Sequence, residues 1–149
     1  MAFYEHRAPL PLESARAMIR AALAAARERD LKPMTVVVLD AGAHLVAMER
    51  EDGSGVFRFE VAQGKAWAAL GVGTPSGAFG AANADRPAFL GAVAAASGGH
   101  AVPVAGGALV LDGDGLIVGA VGVSGDTSDA DEAVAAVGIE AGGFAAGTS

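Results

Sequence analysis

The sequence predicts an α+β fold, an antiparallel sheet of about five strands flanked by helices. Three observations carry that prediction. Two strand–turn–strand runs, within 34–50 and 107–124, each read as a hairpin. Helical periodicity appears before, between and after them. The strand–helix–strand alternation that builds a parallel sheet is missing.

Over residues 11–30, Leu12, Ala15, Ile19, Ala22, Leu23 and Ala26 recur at helical spacing, with Glu13, Arg16, Arg20 and Arg27 off that stripe. Pro33 stops further helix. The run MTVVVLD, 34–40, is β-branched and nearly all apolar, as in a strand buried on both faces, and 44–50 is its hairpin partner across Ala41, Gly42 and Ala43. After a loop at 51–55, residues 56–70 return to helical spacing through Phe59, Ala62, Ala66, Ala69 and Leu70. A Gly/Ala/Ser-rich stretch follows, with one short helix expected after Ser76 and another after Pro87, the latter closing at Gly98 and Gly99. Residues 102–104 are expected as a short edge strand, because Pro103 cannot donate to a ladder. Strands at 107–112 and 116–124 join through Gly113, Asp114 and Gly115. The last helix is expected over 129–144, opened by Asp129 with Glu132 in a capping-box-like pattern and closed by Gly142 and Gly143.

Composition narrows the function classes. A net charge of −7 without a basic run argues against nucleic acid and anionic membrane as partners. With no cysteine there is no disulfide, thiolate metal site or cysteine nucleophile. The N-terminal residues lack the charged-then-apolar pattern of a signal peptide, and no apolar run reaches the ~20 residues of a membrane span, so a cytoplasmic protein is expected. Hydrophobic residues reach 52% but aromatics only 5%; an alanine-rich core buries little area, which favours association of subunits through Ala/Gly faces.

Several residues stand as candidates for chemistry. Lys65 is the only charged residue between Glu60 and Asp85; it can receive a ligand carboxylate or act as a desolvated base, although a snorkelling lysine is the commoner outcome. Asp126, Asp129, Asp131 and Glu132 either complement a helix dipole, or form a divalent-cation site, or include a carboxylate that moves a proton beside Ser124 and Gly125, although their spacing fits no EF-hand loop. Gly119, Gly122 and Gly125 interrupt a good strand, and Gly106 and Gly107 precede its partner; such glycines admit another backbone or a flat ligand. Their place inside a strand does not fit a dinucleotide fingerprint. His6, His44 and His100 have no second ligand at recognised metal spacing, and His100 carries the most weight because it follows Gly98 and Gly99. Ser124 in GVSGD lacks the first glycine of a hydrolase elbow.

The segments VVVLDAGAHLVAMEREDG, KAWAALGVGTPS, PVAGGALVLDGDGLIVGAVGVSGDTSDADEA and GIEAGG together resemble the GlcG/HbpS-like haem-binding family, also found as the C-terminal domain of corrinoid adenosyltransferases of the PduO type. The resemblance spans about 12–144 and implies that 1–149 form one domain of this type. It further implies a profilin-like fold, a homo-oligomer of dimer to octamer size, and haem or another tetrapyrrole as ligand, with a link to haem handling or degradation. The family shares no uniform ligation motif, so His100 is offered as ligand on its position alone, with Gly106, Gly107, Gly122 and Ser124 lining the site at the sheet end or at a subunit interface. The same resemblance, through members associated with small organic acid catabolism, leaves an enzyme of isomerase or lyase type as the alternative. There Lys65 would neutralise a substrate carboxylate, Asp126, Asp129 or Glu132 would move a proton, and Arg50 and Arg58 would assist as anion anchors.

Overall fold

Five strands form one antiparallel sheet, and helices cover both of its faces. The computed structural model describes residues 1–149. In chain order the elements are α1 (Leu12–Glu28), β1 (Thr35–Asp40), β2 (Leu45–Arg50), α2 (Arg58–Val72), α3 (Ser76–Ala82), α4 (Pro87–Ala96), β3 (Gly107–Leu111), β4 (Ile117–Ser124), α5 (Ser128–Ala141) and β5 (Ala145–Gly147). The strand order is β2-β1-β4-β3-β5. Both expected hairpins form, and β1 pairs with β4 at the centre, Thr35 opposite Ser124 and Val37 opposite Gly122. No helix is long and apolar enough to cross a membrane.

The period of two along the central strands sorts their side chains. Val36, Val38, Ala108, Val110, Val121 and Val123 face α1 and α5 in a cluster of 18 buried residues. On the opposite face Val37, Leu39 and Ala120 meet Ala62 and Ala66 of α2, with Phe59, Trp67 and Leu70 of α2 and Met48 of β2 packed half-buried around them. That second layer buries so few large side chains that its cohesion depends on close approach rather than area.

Glycine permits the approach. A Cβ on Gly122 would run into the Ala62 carbonyl, one on Gly107 into the Lys65 carbonyl, and one on Gly106, held at φ +118°, into the Lys65 side chain and the Val123 carbonyl. Gly125 lies equally close to Pro33 and Met34. Of the two readings of these glycines, another backbone and a flat ligand, it is the chain's own backbone that fills the space.

Three local expectations are corrected. Residues 102–104 are not a strand: the Val102 N–H donates to the Gly64 carbonyl, and Pro103 has no N–H to offer. The outer edge is instead β5, which pairs with β3 after Gly143 turns the chain at φ +88°. The last helix ends at Ala141 rather than 144, and its N-cap is Thr127, whose hydroxyl accepts from the Ala130 N–H. Glu132 makes no capping box; it accepts the Ser149 N–H and hydroxyl.

Gly122→Ala is expected to destabilise the fold by about 1–3 kcal/mol through overpacking against α2. Gly71→Ala on α2, where a Cβ meets nothing, is expected to stabilise by roughly 0.5–1 kcal/mol. Urea unfolding of the two variants checks the contrast, and equal effects would contradict the packing described.

Candidate functional site

Lys65 lies on the sheet-facing side of α2 and is 2% exposed. Its ammonium donates to Asp131 Oδ2 at 2.7 Å and to the Val123 carbonyl at 3.0 Å. Asp131 is buried in the first turn of α5 and also accepts the Asp126 N–H at 3.0 Å. The ammonium that the sequence offers to a ligand carboxylate therefore already holds one from its own chain. It does not snorkel, and none of the hollows in the molecule is lined by it.

Burial pushes the Asp131 carboxyl up from the ordinary aspartate value, while the Lys65 ammonium and the Asp126 N–H pull it back. Asp126 behaves oppositely. The Lys32 N–H, at 2.9 Å, and the Thr127 N–H, at 2.8 Å, hold its carboxyl below the ordinary value. A carboxylate so stabilised ties residue 32 to the start of α5 and is a weak proton acceptor near neutrality. Ser124 is fully buried and its Oγ accepts from Arg58 at 3.2 Å. Asp129 and Glu132 line a groove beside Ser149, on another side of α5 from the ion pair, and Arg50 is exposed on β2. The structure thus brings together Lys65, Gly106, Gly107, Ser124 and Arg58, with Asp126 adjoining through Asp131, and leaves Asp129, Glu132 and Arg50 elsewhere.

His100 lies on the outer side of α2, exposed, and its imidazole makes no hydrogen bond within the chain. Its ring stacks at a tilt on Trp67, centroid to centroid 5.0 Å. The turn that carries it is fixed by Gly98 and Gly99 at φ +71° and +83°, by Ser97 Oγ accepting the Ala101 N–H, and by Val102 bonded to Gly64. A hollow of about 380 Å³ opens beside it, lined among others by Phe57, Val61, Gly64, Gly99 and Val102. Phe57 is 77% exposed at its rim. Glu60 and Gln63 supply the hollow's polar groups. No three metal-ligating side chains converge anywhere in the chain.

Two participants escaped the sequence reading. Asp131 was one of four acidic residues without a mark to single it out as the partner of Lys65. Trp67 carries no spacing signal towards His100; only its being the sole tryptophan, two residues after Lys65, set it apart.

Comparison with known proteins adds the following. A family model described as "Haem degrading protein HbpS-like" matches residues 10–140. Comparison with curated proteins gave no significant match. Among solved structures, the haem complex of PduOC is 26% identical with a TM-score of 0.76, covering 89% of this chain and 94% of that one. HbpS is 26% identical with a TM-score of 0.75, covering 94% and 92%. The protein ORFY of Klebsiella pneumoniae, 23% identical over 96% of this chain and 97% of its own, shares the fold at a TM-score of 0.80.

Two outcomes are expected at the ion pair. Lys65→Met alone should cost about 3–5 kcal/mol by leaving Asp131 buried without its counter-charge. Adding Asp131→Asn should recover most of that, since a neutral amide needs no ammonium and keeps an acceptor for Asp126; equal losses in urea unfolding would contradict the pairing. For Asp126, whose folded value is depressed, the stabilising contribution is present above the ordinary value of 3.8 and is lost as pH falls below it. The difference in urea midpoint between the parent chain and Asp126→Asn should therefore be constant above about pH 5 and shrink towards pH 2. A difference that grows on acidification would contradict the assignment.

Proposed function

The chain belongs to the HbpS-like family, and from that membership we propose that it is a haem-binding protein, holding haem or a related tetrapyrrole at His100 on the outer face of α2. The observation that carries the reading is the free imidazole of His100, exposed, backed by Trp67 and set at the mouth of a hollow rimmed by Phe57. A relative of similar fold has been solved as a haem complex, which supports the ligand class.

The residues present fit such a group. An imidazole nitrogen without an internal partner is free to ligate iron. Gly99, where a Cβ would meet nothing, keeps the approach to the ring low, while Gly64 lets the 100–102 turn sit close against α2. Trp67 holds the imidazole plane, and exposed Phe57 and Val61 offer apolar contact to a macrocycle edge. Bound haem would supply iron coordination and redox chemistry at this face. The chain's own part is to orient one imidazole and to shield one side of the ligand.

The other side calls for a second copy of the chain. A hollow of about 380 Å³ lies at the low end of small-molecule sites and covers a tetrapyrrole only in part. Beside it, α4 (PAFLGAVAAA) carries no polar side chain and yet buries none of its residues. A helix apolar all round is normally covered. Its outward residues Ala88, Gly91, Ala92 and Ala95 form a small-residue stripe that admits close approach of a like helix, so a homo-oligomer is part of the proposal.

Haemin titration is expected to give a saturable Soret shift at one ligand per chain. The His100→Ala variant, which removes a side chain without internal bonds, should fold normally by circular dichroism and lose that shift. Absorbance that never saturates, or that is indifferent to His100→Ala, would overturn the reading and leave only adsorption to apolar surface.

A further inference from the structure

A second hollow lies between α2, α3 and α4, beyond Trp67 from the His100 face. Its volume is about 300 Å³, and Trp67, Ala68, Val72, Phe79, Val93 and Ala96 supply most of its wall. Its polar side-chain groups are the indole N–H of Trp67 and Ser97, whose hydroxyl already donates to the Ala94 carbonyl and accepts the Ala101 N–H. No charge borders it. Such a wall gives water few hydrogen-bond partners, and its main attraction is dispersion and transfer from water.

We propose that this hollow is a binding site for a compact, uncharged aromatic molecule of one or two rings. Size sets the upper bound: a cavity on the order of 150 Å³ lined by apolar groups admits one benzene ring, and this one has roughly twice that volume. Chemistry sets the class. A carboxylate, phosphate or ammonium would lose its hydration here and gain no partner. The faces of Trp67 and Phe79 favour offset or edge contact with a flat ring. The wall supplied by α4 is held lightly, through Phe89 edge-on to Phe79 and through Val93 and Ala96, and glycines of positive φ follow the helix. That wall can yield to admit a ligand while the sheet and α2 stay fixed. This site does not depend on the tetrapyrrole reading: Trp67 touches both places, but Ala68, Val72, Phe79, Val93 and Ala96 line this hollow and not the one beside His100.

Trp67 is the only tryptophan in the chain and borders both this hollow and His100, so variants inside the hollow are needed to assign its fluorescence signal. The probe is iodobenzene, a one-ring heavy-atom quencher. Two variants fill the hollow without disturbing the fold: Gly71→Leu, where a Cβ meets nothing and helix propensity improves, and Ala96→Leu on the opposite, exposed wall. Saturable quenching at one probe per chain is expected. Each variant should weaken it at least tenfold, with an undiminished melting temperature and an unaltered haemin titration. Quenching that is linear in iodobenzene, or unchanged in both variants, would overturn the proposal. A Soret titration weakened by saturating iodobenzene would overturn it too, by making the hollow part of the tetrapyrrole site. So would quenching that disappears as the chain associates at high concentration, which would give the hollow to side chains of a second copy.

Discussion

The fold depends on how closely α2 approaches the sheet. Its backbone meets β3 and β4 where Gly106, Gly107 and Gly122 offer no side chain, so that Ala62 and Ala66 complete a core with few large groups. Backbone contact of this kind tolerates no added methyl at Gly122. It also determines what the opposite side of α2 can do. With the sheet-facing side closed, His100 and the half-buried Trp67 it stacks on lie on the side of α2 where we propose that the ligand binds.

The Lys65–Asp131 pair secures the same contact electrostatically. It links α2 to the first turn of α5 and, through the Val123 carbonyl, to the end of β4. Two buried charges are costly unless matched, so the pair is better understood as fixing the register of α2 against α5 than as a large net gain in stability. Asp126 extends this tie to residue 32, and Arg58 reaches Ser124 beside it. The polar groups at this end of the sheet are thus largely occupied with one another. The geometry accordingly favours a receptive surface at His100 over proton transfer at Lys65.

Much of the architecture was legible in the sequence because period and punctuation agree there. The β-branched run 34–40, the Gly-Asp-Gly turn at 113–115 and the proline that opens α4 all act locally, and each element formed where its signal stood. The misreadings came where a distant partner decided. Ala145–Gly147 has little strand propensity and is a strand only because β3 presents an open edge. Residues 102–104 look extended, but α2 claims the Val102 N–H through Gly64. For the same reason the glycines of β4 announced a close approach without saying what approaches. Lys65 was conspicuous in its apolar surroundings, yet only the fold selects Asp131 from four neighbouring acids. The stacking of Trp67 on His100 joins residues 33 positions apart and leaves no local trace.

Beyond the family and the sheet order, what we propose is a place: the ligand-bearing surface as the outer side of α2 and the turn at 97–102, not the glycine-rich end of β4. Amide hydrogen exchange with and without haemin separates the two most directly. The account predicts slowed exchange over residues 57–67, along α4 and through 97–102, with β4 unaltered. Protection concentrated at 105–107 and 122–126, with none around His100, would contradict it.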